Sequence, residues 1–419
     1  MKTAGIIAEY NPFHAGHLYQ LEYTREKLGA DMVIVAMSGD YVQRGTPALL
    51  PKHVRAEMAL RCGADLVLEL PVAAATASAE FFAGCGVELL DSLGVVDFLC
   101  FGSEAGEIKN LQMLAEILNR EPEEYRQVLK ENLKNGLSYP TARSRALEKY
   151  IHRYNPSGRH TGLHDAATEI PQILSSPNNI LGIEYCKALL KQNSSIVPVT
   201  LKRRGYGYHD TGISSGQFAS ASAIRHLIRT GDSTDVFSAQ IPAPALALLE
   251  KSIKSNSCIL EQDFDLLLQY RLLSETPKSL CRYLDISQSL AQRIINQRSQ
   301  FQGFRQFSAL LKTKEITQTR IQRALLHILL NIESAPQKIP YARVLGFRRD
   351  SGALLKTIKQ KSSIPLVTKL SDAHNFLDKY AMSLLEETAY ASNVYQTVLS
   401  RKTGIPFVHE YEQRIVICT

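Results

Sequence analysis

Two histidines near the amino terminus have the spacing and the setting for phosphate chemistry. His14 and His17 lie three residues apart with Gly16 between them, shortly after an apolar run at residues 5–8. Side chains three residues apart share one face of a helix. The first turn of a helix also offers free backbone N–H groups and a partial positive charge. Imidazole N–H groups placed there can donate hydrogen bonds to a phosphate oxygen as negative charge develops on it. This pattern predicts that His14 and His17 are catalytic residues acting on a triphosphate.

The alternative is that the two histidines merely cap a helix or bind a metal. The residues before them, Asn11-Pro12-Phe13, favour the phosphate interpretation because a proline fixes the entry to the turn. Gly16 favours it too, since glycine leaves room where a flat base or a ribose would otherwise meet a side chain. A chance pairing is the weaker explanation at the end of a first strand.

A serine-rich segment further along the chain resembles the segment, ending in Ile-Arg, that binds phosphates in adenylyltransferases. Residues 218–225 contain Ser220 and Ser222 and end in Ile224-Arg225, at the predicted start of a helix. Hydroxyl groups, helix N–H groups and a guanidinium all suit β and γ phosphates. A serine that only caps its own helix is the alternative. On the first interpretation, Ser222 and Arg225 bind ATP.

The elements around these residues alternate in the way of an α/β protein. Short apolar runs predict strands and the segments between them predict helices, which together indicate βαβ units and a parallel sheet. The predicted strands are residues 5–8, 32–37, 66–70 and 98–101, and the predicted helices are residues 16–28, 52–62 and 79–93. We therefore expect an α/β, Rossmann-like domain with its ligand site at the carboxyl ends of the strands.

The rest of the chain predicts a longer α/β domain followed by a mostly helical region. A charged helical insertion is expected at about residues 120–165, and helix, strand and helix follow at residues 179–190, 196–201 and 220–229. Residues 236–333 have a helical pattern, and residues 339–419 mix helices with short strands at 364–368 and 414–418. The predicted domains are residues 1–235 for nucleotide binding and residues 236–419 as a mostly helical, basic region.

The composition is that of a soluble protein from a reducing compartment. The 419 residues are 45% hydrophobic and contain no apolar run long enough to span a membrane. The seven cysteines are scattered, with no pair spaced for a zinc knuckle or a redox centre, so a cytoplasmic location is expected. A net charge of +7 permits a nucleic-acid partner without requiring one.

Basic residues are concentrated in two segments of the second region. Residues 336–370 hold eight lysines and arginines against a single acid, Asp350. Such a run is either a solvated surface or a phosphate-binding face. The second interpretation predicts contacts with nucleic-acid phosphates from Arg343, Arg348, Arg349, Lys356, Lys359 and Lys361. Residues 284–323 have the pattern of a helix-hairpin-helix unit, which can bind sugar-phosphate backbones. Core helices with basic outer faces explain that segment equally well.

The motif that carries the chemistry resembles a known family signature. Asn-Pro-Phe-His-x-Gly-His at residues 11–17 resembles the HIGH motif of nucleotidyltransferases and class I aminoacyl-tRNA synthetases. Further stretches at residues 37–48, 101–104, 176–182 and 341–347 narrow the resemblance to the tRNA(Met) cytidine acetate ligase family. The similarity runs from the first strand through the basic carboxyl-terminal segment.

That resemblance implies a reaction in two steps. Acetate attacks the α-phosphate of ATP to give acetyl-adenylate and pyrophosphate, and the acetyl group then passes to the exocyclic amine of the wobble cytidine of elongator tRNA(Met). The ATP-binding positions that it implies are Ile7, Ala8, Glu9, Tyr10, Asn11, Pro12, Phe13, His14, Ala15, Gly16, His17, Leu18, Tyr19, Gln20, Gly102, Asn179 and Arg204. Mg²⁺ is expected with the ATP, although no dedicated carboxylate cage is visible.

Several of these positions keep an alternative explanation. Asn179 opens a helix and so is also a candidate for a simple cap. Arg203 and Arg204 both end the strand at residues 196–201; Arg204 matches the spacing better, but the sequence does not say which of them meets phosphate. Asp40 follows the second strand, where it would bind a metal, orient a substrate or form a turn.

Two other functions compete with the ligase. One is a small-molecule adenylyltransferase that joins AMP to a phosphorylated cofactor precursor, and the other is an RNA-binding protein with an inactive nucleotidyltransferase domain. The first needs little beyond the α/β domain, whereas this chain adds a long basic region. The second is disfavoured by the intact set of His14, Gly16 and His17.

Overall fold

The centre of the molecule is an eight-stranded sheet. The computed structural model describes residues 1–137, 139–154, 170–203 and 218–419. Its strands are β1 (Thr3–Ala8), β2 (Met32–Ser38), β3 (Tyr41–Val42), β4 (Thr46–Pro47), β5 (Leu66–Leu70), β6 (Phe98–Ser103), β7 (Val197–Lys202), β8 (Ala342–Arg348), β9 (Leu366–Val367) and β10 (Val416–Cys418). β3 and β4 form a separate two-stranded ribbon.

The strand order places a ligand crevice beside β1. The sheet runs β10-β8-β5-β2-β1-β6-β7, with β9 beside β8. The chain first builds β2 and β5 on one side of β1 and then β6 and β7 on the other, with all five strands parallel. The order therefore reverses between β1 and β6, and a doubly wound sheet leaves a crevice at the carboxyl ends of its strands at that point. We call the side of the sheet where these parallel strands end the carboxyl edge.

Helices cover both faces of the sheet. They are α1 (Ala15–Glu26), α2 (Lys52–Arg61), α3 (Val72–Ala75), α4 (Ala79–Ser92), α5 (Ile108–Arg120), α6 (Glu123–Lys134), α7 (Tyr139–Tyr154), α8 (Pro177–Lys191), α9 (Ala221–Thr230), α10 (Ala243–Lys254), α11 (Asp265–Ser274), α12 (Pro277–Leu280), α13 (Gln288–Gln297), α14 (Phe304–Leu310), α15 (Gln318–Leu330), α16 (Gly352–Lys361) and α17 (Lys379–Thr403). Ile6 and Ile7 are buried in different core clusters, because successive side chains of a strand point to opposite faces. Among the described residues, no helix has the length and apolarity needed to cross a membrane.

The predicted βαβ units are confirmed with small changes of boundary. The strand expected at residues 66–70 is β5, and the helix expected at residues 52–62 is α2. The two elements expected at residues 179–190 and 196–201 are α8 and β7. The helical insertion contains α6 and α7, while residues 155–165 of its predicted range lie outside the described residues.

The carboxyl-terminal region contains the short strands expected at residues 364–368 and 414–418, as β9 and β10, and in addition its strands join the sheet of the first region. β8 lies antiparallel on β5, and β9 and β10 both pair with β8. Residue 235 is therefore not a boundary of the sheet, which draws strands from both predicted regions. The physical reason is that β5 has an edge with unpaired N–H and C=O groups, and a segment far along the chain satisfies them. A local sequence pattern does not reveal such a distant partner.

A buried cluster of charges ties this region to the amino-terminal part. Lys52 Nζ lies 2.7 Å from Glu69 Oε1 and 2.8 Å from Glu410 Oε1. Arg343 Nη1 lies 2.5 Å from Glu69 Oε2, and Arg343 also pairs with Glu410. Each of these four side chains is at most 5% exposed. Loss of one partner from a buried pair leaves an uncompensated charge, so the network holds α2, β5, β8 and the chain end together.

Candidate active site

The start of α1 fixes the two histidines through a reciprocal pair of hydrogen bonds. His14 is the residue that caps the helix, and its Nδ1 accepts a hydrogen bond from the Gly16 N–H at 3.0 Å. The backbone N–H of His14 donates to Nδ1 of His17 at 3.2 Å. A neutral imidazole has one acceptor nitrogen and one N–H. Since both Nδ1 atoms accept, the neutral rings carry their protons on Nε2 and can donate from there.

Both histidines are held in the neutral form. Burial, with the nearby charges of Arg203 and Arg225, lowers the pKa of His14 to about 3. Burial, together with His14 and Arg203, holds the pKa of His17 well below its ordinary value. The two rings are stacked with centroids 3.8 Å apart, an arrangement that would also disfavour two cations. The site therefore offers two fixed Nε2–H donors at neutral pH.

These histidines line a pocket at the carboxyl edge between β1 and β6. Its empty volume, including the part open to solvent, is about 510 Å³. Gly102 at the end of β6 is part of the wall, and a Cβ there would lie 3.2 Å from Cγ of Arg203. The lining residues are His14, Gly16, His17, Tyr19, Gln20, Gly102, Leu201, Arg203, Phe218, Ala219 and Ser220. The pocket thus occupies the position where a doubly wound sheet binds its ligand.

Three guanidinium groups give this end of the sheet a positive charge. Arg203 lines the pocket, and Arg225 donates from Nη1 to the Asn11 carbonyl at 2.6 Å. Burial lowers the pKa of both, yet the ordinary value for arginine is so high that they stay charged. Burial also lowers the pKa of Arg44 to about 10, while Glu9 opposes that shift. Carboxylates also lie near Arg203 and Arg225, but among the described residues that line the pocket Arg203 is accompanied by no carboxylate, which favours a polyanion.

Of the predicted segment at residues 7–20, five members line the pocket: His14, Gly16, His17, Tyr19 and Gln20. Tyr10 and Phe13 are buried and pack on the His17 ring, with centroids 4.8 Å and 5.5 Å from it. Asn11 accepts the Leu49 N–H at 2.8 Å. The segment therefore contains residues that line the pocket and residues that pack against the lining residues or hydrogen-bond to neighbouring backbone. Direct contact of each residue with ATP stays a prediction.

The two predicted positions beyond β6 have different outcomes. Asn179 is buried; its Oδ1 accepts the Ala105 N–H at 3.0 Å, and its own N–H donates to Glu104 at 2.9 Å. Asn179 therefore connects the loop after β6 with the start of α8. This structural role is close to the helix cap that the sequence also allows for this residue. Arg204 lies outside the described residues, and Arg203 is the neighbour that the pocket contains. Ser222 accepts a hydrogen bond from Arg225 at 3.3 Å.

Two predicted functional residues belong instead to the buried cluster of charges. Asp40 is 2% exposed and its Oδ1 accepts the Lys52 N–H at 2.9 Å, so it caps α2 rather than facing a substrate or a metal. Burial raises the pKa of Asp40. Arg343 is 4% exposed and pairs with Glu69 and Glu410, so its predicted tRNA contact is wrong. The position of Asp40 after a strand and the basic segment around Arg343 do not show that these two side chains are buried.

The sequence prediction also missed part of the pocket. Arg44, in the stretch at residues 37–48 that carries the family resemblance, does not line the pocket but lies close enough to interact electrostatically with Arg203, and the sequence pattern gives no sign of this. Ser220 caps α9 by accepting the Ala223 N–H at 3.2 Å and lines the pocket, whereas the sequence pattern predicts Ser222 as the ATP-binding serine. Leu201 and Phe218 are apolar and carried no chemical signal. Their contribution depends on the way that β7 and the approach to α9 meet β1.

The remaining predicted tRNA contacts lie away from this pocket. Arg349, Lys356, Lys359 and Lys361 are exposed, and Arg348 is partly exposed and pairs with Asp350 at 2.7 Å. Because β8 is antiparallel to β5, its last residue lies where β5 begins, and the Arg348 N–H donates to the Asp65 carbonyl. These residues are therefore at the edge of the sheet opposite the carboxyl edge.

Comparison with known proteins identifies the family. The profile of the HIGH Nucleotidyl Transferase family matches residues 1–405. A protein of Acetivibrio thermocellus named tRNA(Met) cytidine acetate ligase is 41% identical, with 100% of each chain covered. One of Clostridium acetobutylicum with the same name is 40% identical with the same coverage. The crystal structure of Thermotoga maritima TmcAL bound with alpha-thio ATP matches with a TM-score of 0.89 and 32% identity over 100% of both chains. The chain therefore belongs to the HIGH nucleotidyltransferases and, within them, to the tRNA(Met) cytidine acetate ligase family.

Proposed function

We propose that this protein is an ATP-dependent ligase that acetylates the N4 amine of the wobble cytidine in elongator tRNA(Met). It activates acetate as acetyl-adenylate, transfers the acetyl group and releases AMP, and it acts in the cytoplasm. The observation that supports this most is the pair of neutral histidines in a pocket that Arg203 also lines, where neither Nε2–H has a hydrogen-bond partner among the residues that the structure describes. Relatives named tRNA(Met) cytidine acetate ligase, matched over their full length, favour it over a small-molecule adenylyltransferase.

In the first step an acetate oxygen forms a bond to the α-phosphorus of ATP. The bond from that phosphorus to the β-phosphate oxygen breaks, and pyrophosphate leaves with the bonding electrons. Negative charge builds up on the α-phosphate oxygens and on the leaving group. His14 and His17 stabilise it from Nε2, and Arg203 and Arg225 supply the positive charge that brings two anions together.

In the second step the cytidine N4 attacks the acetyl carbonyl carbon of the adenylate. The bond from that carbon to the AMP oxygen breaks, AMP leaves as the phosphate anion, and the amine loses one proton to solvent. The neutral histidines remain donors through both steps, so the same pocket accommodates AMP as a leaving group.

Mg²⁺ is expected to accompany ATP as part of the substrate. Within the described ranges no group of three His, Cys, Asp or Glu side chains is arranged to hold a metal ion. Mg²⁺ commonly keeps several waters and is bound largely through substrate phosphates, which fits a site rich in cations and poor in carboxylates. The contribution of the protein is then to hold the triphosphate itself.

Acetate-dependent exchange between ATP and labelled pyrophosphate, measured without RNA, tests the first step. We expect exchange with acetate and none without a carboxylate. RNA should not be needed, because the described pocket is formed by residues of the protein alone. Release of ADP and phosphate would contradict attack at the α-phosphate. Exchange that needs a phosphorylated cofactor precursor instead of acetate would favour the adenylyltransferase.

Transfer of labelled acetate to a transcript of elongator tRNA(Met) tests the second step. The matched control is the same transcript with uridine at the wobble position, which lacks the exocyclic amine. Label in both transcripts, or in neither while exchange proceeds, would contradict the proposed acceptor.

A further inference from the structure

The helical region contains a concentration of positive charge distinct from α16. Between Pro277 and Arg323 the sequence has nine lysines and arginines against two acids, Asp285 and Glu315. Asp285 is already paired, with its Oδ2 2.7 Å from Nε of Arg323. Five exposed cations have no ion pair among the residues that the structure describes: Lys278, Arg293, Arg305, Lys312 and Lys314. A surface of this kind attracts a polyanion such as RNA.

This region lies against the carboxyl edge of the sheet, close to the ATP pocket. The loop of residues 43–45 follows β3, and the Gln43 N–H donates to Glu9 at 3.1 Å beside the pocket. At Gly45 the same loop touches α15 so closely that a Cβ would lie 2.2 Å from the Arg323 nitrogen. One short loop therefore connects the nucleotide site with the amino-terminal half of α15.

A second contact fixes the same orientation. The buried ring of His327 has Nε2 3.1 Å from the Thr76 carbonyl, which directly follows α3 beyond the end of β5. α15 is thus anchored to two loops that both leave the carboxyl edge. α15 begins at Gln318, about one and a half helical turns or roughly 8 Å before the contact at Arg323, and the turn that contains Lys312 and Lys314 directly precedes it.

The basic face of α16 lacks this relation to the pocket. Its exposed lysines follow β8, whose end lies beside Asp65 at the start of β5. The parallel strands of about five to seven residues separate the two edges by on the order of 20 Å. RNA held on α16 alone would have to reach across the whole sheet to the reacting group.

We propose that the tRNA backbone is bound by the exposed cations around the α14–α15 turn, with Arg305, Lys312 and Lys314 at its centre, and not by α16. This rests on the proposed function, because it names the surface that brings the acceptor base to the adenylate. The helix-hairpin-helix pattern at residues 284–323 agrees with it, since such units contact sugar-phosphate backbones.

Two variants of equal charge change test the assignment in the full-length protein. One carries Arg305→Ala, Lys312→Ala and Lys314→Ala, and the control carries Lys356→Ala, Lys359→Ala and Lys361→Ala. The dissociation constant for elongator tRNA(Met) is measured by filter binding across a salt series. Acetate-dependent exchange without RNA, run on both variants, checks that the fold and the nucleotide site are intact.

We expect the first variant to bind tRNA more weakly, with the slope of log affinity against log salt reduced by about two to three, at roughly 0.7–0.9 for each lost phosphate contact. The α16 variant should keep the wild-type slope. The proposal would be overturned if the salt slope fell in the α16 variant and stayed at the wild-type value in the variant of Arg305, Lys312 and Lys314. Wild-type salt slopes in both variants would overturn it as well. If the wild type itself binds no tRNA, the proposed function fails together with the surface assignment. If the wild type binds tRNA but neither variant changes the slope, only the surface assignment fails.

Discussion

The imidazole of His14 uses its two ring nitrogens for different purposes. Nδ1 accepts the Gly16 N–H and caps α1, while Nε2 carries the proton that the pocket can use. His17 repeats the arrangement by accepting the backbone N–H of His14. The helix cap, which the structure shows, and the phosphate donor, which we propose, are therefore compatible functions of the same side chain.

This double role can be separated by substitution. In His14→Asn the side-chain oxygen still caps the helix, so the free energy of unfolding should change little, whereas the Nε2–H donor is lost and exchange should slow by roughly 10²–10³. His14→Ala should lose the same activity and, in addition, about 1 kcal/mol of stability for the missing cap. Urea unfolding and pyrophosphate exchange measure the two effects. Full exchange activity in His14→Asn would rule out the donor role.

The neutral state of His14 predicts a dependence of stability on pH. Its pKa is about 3 in the folded protein and about 6.5 when unfolded, so below pH 6.5 the unfolded chain binds a proton that the folded chain does not. The stability contributed by this group is complete above pH 6.5 and is lost as the pH falls toward 3. Between pH 7 and pH 5 the wild type should lose about 2 kcal/mol more than His14→Asn. If urea unfolding shows the same loss of unfolding free energy in the wild type and in His14→Asn, then His14 is charged in the folded protein at acid pH.

At the scale of elements, a single buried arginine joins the ends of two strands. Arg55 in α2 donates to the Leu50 carbonyl at 3.0 Å, the Ser38 carbonyl at 3.1 Å and the Glu9 carbonyl at 2.5 Å, and it also donates to Gly39. Glu9 opens the histidine loop, and Ser38 ends β2. Arg55 therefore positions the loop of the active site without lining the pocket.

Loss of this guanidinium should affect both stability and nucleotide binding. In Arg55→Met three buried carbonyls and the partly buried Glu9 carbonyl lose a donor, and at about 1–3 kcal/mol for each buried group left unsatisfied the protein should be strongly destabilised. Arg55→Lys keeps the charge but has fewer donors in a different geometry, so it should fold and show a raised KM for ATP with a smaller change in kcat. A wild-type KM in Arg55→Lys would mean that the loop is positioned by other contacts.

At the scale of the whole molecule, the sheet and the buried charges make the two predicted regions interdependent. β8 covers the edge of β5, and Glu410 lies at the far end of the chain but pairs with Lys52 in α2. A fragment of residues 1–235 would expose that edge and leave Lys52 and Glu69 without Arg343 and Glu410. The nucleotide site thus depends on residues that contact no nucleotide.

We expect the fragment of residues 1–235 to be unfolded or aggregated, since loss of partners from a buried ion pair alone costs about 3–5 kcal/mol. The full chain should unfold in one transition, because both regions share the sheet. Calorimetry of the full chain and circular dichroism of the fragment measure these outcomes. A fragment that unfolds cooperatively and binds ATP as tightly as the full chain would show that residue 235 is a true domain boundary.

Local features of the sequence were sufficient for the βαβ units and for the histidine loop. Their signals lie within a few residues of one another: apolar runs of strand length, helix-length segments between them, and a strand–turn–helix unit that ends in His14 and His17. Strands, helices and the histidine loop depend mainly on the backbone and on side chains close in sequence, so a single sequence is enough to predict them.

Only the tertiary structure decided which charged residues face the pocket, the core or the solvent. Arg343, Lys356 and Lys312 all belong to basic stretches, yet the first is buried, the second is exposed on the helix that follows β8, and the third is exposed on the turn before α15, a helix that contacts loops at the carboxyl edge. The strand direction of β8 determines the first two, and the anchoring of α15 on the loops after β3 and α3 determines the third. These pairings join residues hundreds of positions apart, and their energies depend on burial and on partners that the local pattern of charge does not specify.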